Sequence, residues 1–117
     1  MCHAKWLEQV NETIINPKLK IIDPHHHLWH LPDMLYELGD FYADTQSGHN
    51  IVKTVFIEGG IDYTNNYPAH LKPVSETEYA VALAKKSCSG NGPEVAGIVG
   101  RANLTLGDAV EDVLDHH

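Results

Sequence analysis

The sequence predicts an α/β fold in which parallel strands alternate with helices. Residues 51–58 form an almost unbroken apolar, β-branched run, which is typical of a strand buried on both faces of a parallel sheet. Residues 75–87 then carry apolar side chains at helical spacing, and a further apolar run follows from residue 95. This order is that of successive strand and helix units, so we expect three parallel strands joined by right-handed crossovers.

The first third of the chain predicts a helix, a strand and a second helix. Apolar residues recur every four positions between Trp6 and Ile15, which favours a short helix with one apolar stripe. Leu19 to Ile22 predicts a strand that gives way to a loop at Pro24, because proline interrupts a strand ladder. A second helix from Asp40 to Ser47 is expected to end at Gly48, which is a typical C-terminal cap.

The next unit follows from an apolar run and a capping pattern. Ile51 to Glu58 is the predicted buried strand, and Gly59-Gly60 ends it. Ser75 then predicts a helix N-cap with Glu78 as its reciprocal partner, and this helix is expected to run to about Ser87.

The last predicted unit begins after a compact stop signal at residues 89–93. Val95 to Ala102 predicts the third strand. Asp108 and Glu111 repeat the capping arrangement and open a helix within which the sequence stops.

Composition limits the classes of partner and compartment. The chain has 117 residues, of which 43% are hydrophobic and 21% charged, as expected for one ordinary globular domain. Sixteen acids against eight Lys and Arg argue against a nucleic-acid partner, because such binding depends on neutralising phosphates. The first thirty residues hold charges without a long apolar run, so we expect neither a signal peptide nor a membrane span. Cys2 and Cys88 form no CxxC motif, which favours the reducing cytoplasm.

Two histidines form the main candidate site. His25 and His27 follow the first predicted strand, and side chains alternate in extended chain, so both rings are expected on one face and His26 on the other. Two imidazoles on one face can bind one metal ion, and the nearby Asp23 carboxylate can orient a ligating ring. The alternatives are a solvated histidine-rich loop or aromatic stacking near Trp29.

Several segments resemble one protein family. They resemble, in order, segments of the amidohydrolase-2 family, a branch of the TIM-barrel metal-dependent hydrolases. The segments are Asp23-Pro24-His25-His26-His27-Leu28-Trp29, Val55-Phe56-Ile57-Glu58-Gly59-Gly60, Pro73-Val74-Ser75-Glu76-Thr77-Glu78, Ala96-Gly97-Ile98-Val99-Gly100 and Leu104-Thr105-Leu106-Gly107-Asp108-Ala109-Val110.

The resemblance implies a fold and a metal site. It implies that residues 1–117 are the N-terminal portion of a single (β/α)₈ barrel domain, with the first three βα units and a preceding helix. It also implies that His25 and His27 are metal ligands at the barrel mouth, with zinc the expected ion. In the superfamily, further ligands come from the fifth, sixth and eighth strands. These lie beyond the present sequence, so the chain is expected to be incomplete and inactive alone.

The resemblance also implies a reaction class. The expected activity is metal-assisted hydrolysis of a lactone or small carboxylic ester, although other members of the family decarboxylate. Some lactonase members work without a metal, in which case the histidines would contact the substrate. Two further alternatives are a non-catalytic metal-binding or interaction module, and a split enzyme completed by self-association through the open barrel edge.

Two more residues are candidate catalytic groups. Glu58 ends the second predicted strand and can bind a substrate or orient a ligand, or pair with a cation at the rim. Arg101 follows the third strand and can hold a substrate carboxylate by two hydrogen bonds, or form an ordinary salt bridge.

Other polar residues are interpreted as structural. Glu76 and Glu78 are explained by stabilisation of a helix N-terminus. His30 stands where relatives often carry an acid and is either a spare ligand or a surface residue. His116 and His117 carry no site prediction.

Overall fold

A computed structural model, which describes residues 9–10, 12–63 and 66–117, shows a mixed α/β fold built on a three-stranded parallel sheet. The sheet order is β1-β4-β5, and β2 and β3 form a separate antiparallel hairpin. The elements are β1 (Lys20–His26), β2 (Trp29–Leu31), β3 (Met34–Tyr36), α1 (Leu38–Thr45), β4 (Asn50–Ile57), α2 (Val74–Ser87), β5 (Glu94–Val99), a 3₁₀ helix (Leu104–Ala109) and α3 (Val110–His116). The predicted α/β class with parallel strands is confirmed.

The helices cover one face of the sheet. The main core contains apolar residues from β4, β5, α1, α2 and the loop after β1, namely Leu28, Phe41, Phe56, Ala80, Leu83 and Val95. Strand alternation places the side chains of Val55 and Ile57 on the opposite face. Ile22 and Val99 are exposed, at 61% and 48%. In the described part of the chain, one face of the sheet is therefore packed and the other carries uncovered apolar side chains.

The structure corrects the region around the first strand. β1 does not stop at Pro24 but continues to His26, with an irregular register between Asp23 and His26. Because β1 is at the edge of the three-stranded sheet, proline is tolerated at such an irregularity. The hairpin of β2 and β3 was not predicted, and each of its strands has only three residues.

The first described helix is shifted from its prediction. α1 begins at Leu38, two residues earlier than expected, because the Asp40 carboxylate accepts a hydrogen bond from the Glu37 backbone N–H at 2.9 Å. Its C-cap is Gln46, and Gly48 lies beyond it with a φ of 131°.

Three further element predictions need correction or lie partly outside the described residues. The described residues of the helix predicted from Trp6 to Ile15 are not helical, and residues 6–8 and 11 lie outside the described part. β5 ends at Val99 rather than Ala102. The N-cap of α3 is Ala109 without a side-chain hydrogen bond, so the capping predicted for Asp108 and Glu111 is wrong.

The capping box predicted at α2 is also wrong. α2 begins at Val74, so Ser75 lies inside its first turn. The Ser75 hydroxyl donates to the Lys72 carbonyl at 2.7 Å and accepts the Tyr63 backbone N–H at 2.9 Å. Glu78 accepts a hydrogen bond from the Tyr67 hydroxyl at 2.7 Å instead of capping the helix.

None of the described helices is long and apolar enough to cross a membrane.

A glycine-rich loop after α2 fixes the position of α1. A Cβ added at Gly92 would overlap the ring of Tyr42, and the Gln46 side-chain amide donates to the Asn91 carbonyl at 2.5 Å. We expect Gly92→Ala to lower the free energy of unfolding by about 1–3 kcal/mol, because the Tyr42 ring must move. Urea unfolding measures this change.

Gly39 supplies the control for this substitution. It lies in α1, and a Cβ added there would have no neighbour within 4 Å. Gly39→Ala is expected to leave stability unchanged or raise it by up to about 1 kcal/mol, because alanine is the better helix former. Equal losses in the two variants would contradict the packing described for Gly92.

Candidate active site

His25 and His27 lie together at the carboxyl end of β1. Their ring centroids are 5.0 Å apart in an edge-to-face arrangement, and their Nε2 atoms are 3.2 Å apart. The two rings share one face of the chain, as the alternation predicts, and His26 is buried on the other. The strand end thus brings two imidazole nitrogens to one point.

Contacts with the backbone and with Trp29 orient His27. Its Nδ1 lies 2.7 Å from the carbonyl oxygen of Ile57, the last residue of β4. Nδ1 must carry the proton to donate this bond, so the neutral ring presents a lone pair at Nε2. Trp29 stacks on the same ring at 5.4 Å, so the aromatic contact considered as an alternative is present beside the histidine pair.

Asp23 acts on the backbone of this segment. Its carboxylate accepts the backbone N–H of His25 at 3.0 Å, which stabilises the irregular end of β1. Among the hydrogen bonds of the described residues, none joins this carboxylate to a histidine ring, so the expected ring-orienting role belongs to the Ile57 carbonyl.

The geometry of the pair fits two ligands of one metal ion. Two nitrogens each about 2.0–2.1 Å from a tetrahedral zinc ion lie about 3.3 Å apart. In the structure His25 Nε2–H donates a hydrogen bond to the His27 lone pair at an Nε2 separation of 3.2 Å, which is close to the separation in a zinc site. A ligating histidine typically donates its other ring N–H to a carbonyl or carboxylate, as His27 does. Within the described ranges, no group of three or more His, Cys, Asp or Glu side chains is placed to hold a metal.

His26 has a structural role. Its ring stacks on Phe41 at 4.3 Å, and its Nε2 lies 3.0 Å from the hydroxyl of the fully buried Thr54. Desolvation by burial lowers the pKa of His26, and Asp23 partly opposes this effect. The neutral ring therefore belongs to the core, where it locks the end of β1 onto β4 and α1.

Glu58 and Arg101 contact each other across the ends of β4 and β5. The Arg101 Nε lies 3.5 Å from Glu58 Oε2, and Nη2 lies 3.4 Å from Asp62 Oδ1. The Nε contact is an ion pair without hydrogen-bond geometry, and Glu58 Oε2 is buried with no hydrogen-bond partner among the described residues. Each of these two residues was expected either to bind a substrate or to form a salt bridge at the rim. The salt bridge is present, and its contacts are long.

Glu76 organises the loop between β4 and α2, a role that the sequence interpretation missed. Its side chain is buried at 2% exposure, and its carboxylate accepts the backbone N–H groups of Gly59, Gly60 and Ile61 at 2.7, 3.1 and 3.0 Å. Helix-terminus stabilisation is therefore not its main role. The carboxylate fixes the loop that directly follows Glu58.

This loop borders the histidine pair. A Cβ added at Gly59 would lie 3.2 Å from Trp29 Nε1, 3.5 Å from Glu76 Oε1 and 3.8 Å from His27 Nδ1. Gly59 therefore lies where the buried carboxylate, the tryptophan and the second histidine meet. The loop after β4 therefore lies beside His27 at the carboxyl ends of β1 and β4.

Three other histidines, His30, His116 and His117, lie in other contacts. His30 bonds the Glu37 carboxylate through Nδ1 at 2.6 Å, and both side chains are exposed. His116 Nδ1 lies 2.6 Å from the Asp112 carbonyl oxygen, and His117 Nδ1 lies 2.8 Å from the Thr77 hydroxyl. These histidines have local partners and do not join the pair.

Comparison with known proteins identifies a longer relative. The chain is similar to the uncharacterized protein y4mH of Sinorhizobium fredii (strain NBRC 101917 / NGR234), with 31% identity over 121 aligned positions. The alignment covers 85% of this chain and 36% of that relative, so the chain spans little more than a third of the relative's length. No family model matches the chain, and no solved structure gives a significant match.

Proposed function

We propose that this chain forms the first three βα units of an amidohydrolase-type barrel, and that the whole protein is a metal-dependent hydrolase of small carboxylic esters or lactones. The observation that carries the proposal is the pair of Nε2 atoms 3.2 Å apart at the carboxyl end of β1. Glu58 and Arg101 follow β4 and β5 at the same end of the sheet. Catalytic groups of (β/α)₈ enzymes occupy that end of the barrel.

The sheet supports the barrel part of the proposal. Strands β1, β4 and β5 are parallel and lie side by side in chain order, as the first three strands of such a barrel do. Exposed Ile22 and Val99 belong to the uncovered face, which further strands would enclose. The greater length of the similar protein supports the existence of such further strands.

Each candidate residue has a role in this proposal. His25 and His27 hold a divalent metal ion, and we propose that this ion is zinc. When bound, such an ion supplies Lewis acidity that polarises an ester carbonyl and makes water an effective nucleophile near neutral pH. Glu58, which contacts Arg101 at 3.5 Å, hydrogen-bonds the substrate through its carboxylate, and Arg101 binds a carboxylate of the substrate. Glu76 keeps the loop after Glu58 in place.

A second candidate function is a non-catalytic metal-binding or interaction module. It is favoured by the presence of only two clustered histidines, without a third ligand, in the described residues. Self-association through the open edges of β1 and β5 would accompany it. Cys88 is exposed and unpaired, and for either function we propose a reducing, cytoplasmic location.

A chimeric protein tests the hydrolase proposal. This chain replaces the aligned segment of the Sinorhizobium fredii relative, and turnover of a panel of γ- and δ-lactones is measured with added zinc or manganese. We expect the chimera to hydrolyse at least one lactone, this chain alone to hydrolyse none, and His25→Ala or His27→Ala to lower kcat/KM of the chimera by about 100-fold or more.

Two results would contradict the proposal. A folded, zinc-loaded chimera without lactone turnover would exclude the proposed hydrolase and favour the metal-binding module. Lactone turnover by this chain alone would show that three strands suffice and would contradict the barrel interpretation.

A further inference from the structure

A cleft lies between the segments that follow β4 and β5. Its volume is about 450 Å³, within the range of small-molecule sites. Asp62, His70, Arg101 and Asn103 supply its polar lining, and Pro73 and Leu106 form part of an apolar wall. Asp62 and Arg101 follow the carboxyl ends of β4 and β5, and His25 and His27 lie at the carboxyl end of β1 in the same parallel sheet.

Arg101 is the principal donor group in this cleft. Glu58 and Asp62 approach the guanidinium at 3.5 and 3.4 Å, and its side chain is 41% exposed. A guanidinium has five N–H donors, so these two long contacts leave most of its hydrogen-bonding capacity for a ligand. The two carboxylates restrain Arg101 at the cleft without saturating it.

Asn103 and His70 add polar atoms to the same cleft. The Asn103 Oδ1 already accepts the backbone N–H and the hydroxyl of Thr105, at 3.1 and 2.7 Å, which leaves its amide nitrogen as the free end. Among the described residues no hydrogen bond engages that nitrogen. His70 is held through Nε2 by the Asp112 carboxylate at 2.8 Å, so Nδ1 is the ring atom left for the cleft.

The donor set favours a carboxylate ligand of small size. Guanidinium matches a carboxylate in a two-point geometry, and an amide N–H adds a third hydrogen bond. The Pro73 and Leu106 wall suits a short carbon chain. Asp62 competes for Arg101, so we expect an affinity in the millimolar range for a minimal acid rather than tight binding.

We propose that this cleft binds the carboxylate of a small organic acid, with Arg101 as its anchor and the Asn103 amide as a supporting donor. The inference builds on the proposed function, because it makes the hydrolase specific for a lactone or ester that carries a separate carboxylate. The cleft then positions the acid group of the substrate while the histidine pair faces the bond to be cleaved.

A titration of the metal-free chain followed by NMR tests the inference. Propionate is the probe, and propionamide is its neutral isostere of nearly equal size. We expect propionate to give saturable shifts of the backbone amides of residues 62, 70, 101 and 103, and propionamide to give none. Arg101→Gln is expected to weaken propionate binding by about 10-fold or more, the loss of one charged hydrogen-bonding group.

Lys86→Gln is the charge-matched control, because it removes one positive charge from an exposed position of α2. It is expected to leave propionate binding unchanged. Equal shifts with propionamide, equal weakening by Lys86→Gln, or no saturable shift would each overturn the carboxylate site. The titration requires neither metal nor turnover, so its failure is separable from failure of the hydrolase test in the chimera.

Discussion

Glu76→Gln is expected to lower the free energy of unfolding by about 2–4 kcal/mol, measured by urea denaturation. The Glu76 carboxylate is buried and accepts three backbone N–H groups, from Gly59, Gly60 and Ile61. An amide has only one oxygen to accept them, and its NH₂ group faces donors where an acceptor is needed. All three loop N–H groups therefore lose a charged acceptor, and at least one loses its acceptor oxygen.

Glu78→Gln is the matched control, two residues further along α2. Glu78 is exposed and accepts one hydrogen bond, from the Tyr67 hydroxyl. Its substitution is expected to change stability by less than about 0.5 kcal/mol. Hydrogen exchange adds a local measurement: the amides of residues 59–61 should exchange faster in Glu76→Gln than in Glu78→Gln. Equal stability and equal exchange in the two variants would contradict the role given to Glu76.

His25→Ala and His27→Ala are each expected to lower the zinc affinity of the chain by about 100-fold or more, as measured by calorimetric titration at pH 7. Each substitution removes one of two nitrogens that lie 3.2 Å apart. One remaining imidazole holds zinc weakly, because affinity depends on several ligands meeting at one point. His27→Ala also removes the bond to the Ile57 carbonyl that orients the second ring.

His30→Ala is the control for the metal titration. His30 belongs to the same histidine-rich segment but is exposed and pairs with Glu37. Its loss is expected to leave zinc affinity unchanged within about twofold. An equal loss of affinity in all three variants would indicate non-specific binding to surface histidines and would contradict the pair as a site.

The elements with long, regular patterns could be predicted from the sequence. β4 has eight residues, most of them apolar, and α2 has fourteen residues with apolar side chains at helical spacing. The predicted bounds of both elements agree with the structure within one residue at either end. β2 and β3 have three residues each, too few for a period to emerge. β1 continues through Pro24 because an edge strand tolerates an interrupted ladder, which the local sequence does not reveal.

The candidate site divides in the same way. The shared face of His25 and His27 follows from a period of two, which is local information. The Ile57 carbonyl that orients His27 is thirty residues away, so no local pattern contains it. Glu76 looked like a helix-terminus acid, and only the fold brings it to Gly59 and Gly60. The sequence offered one signal for a buried acceptor. Two adjacent glycines directly after a strand have backbone N–H groups that need a partner outside the strand.

X-ray absorption at the zinc edge of the zinc-loaded chain tests the central claim most directly, because it reports the atoms bound to the metal. We expect two imidazole nitrogens at about 2.0–2.1 Å in the wild-type chain and fewer in His27→Ala. Such a spectrum would establish His25 and His27 as a shared metal site. A zinc environment without imidazole, or one unchanged by His27→Ala, would contradict the metal site and with it the proposed hydrolase.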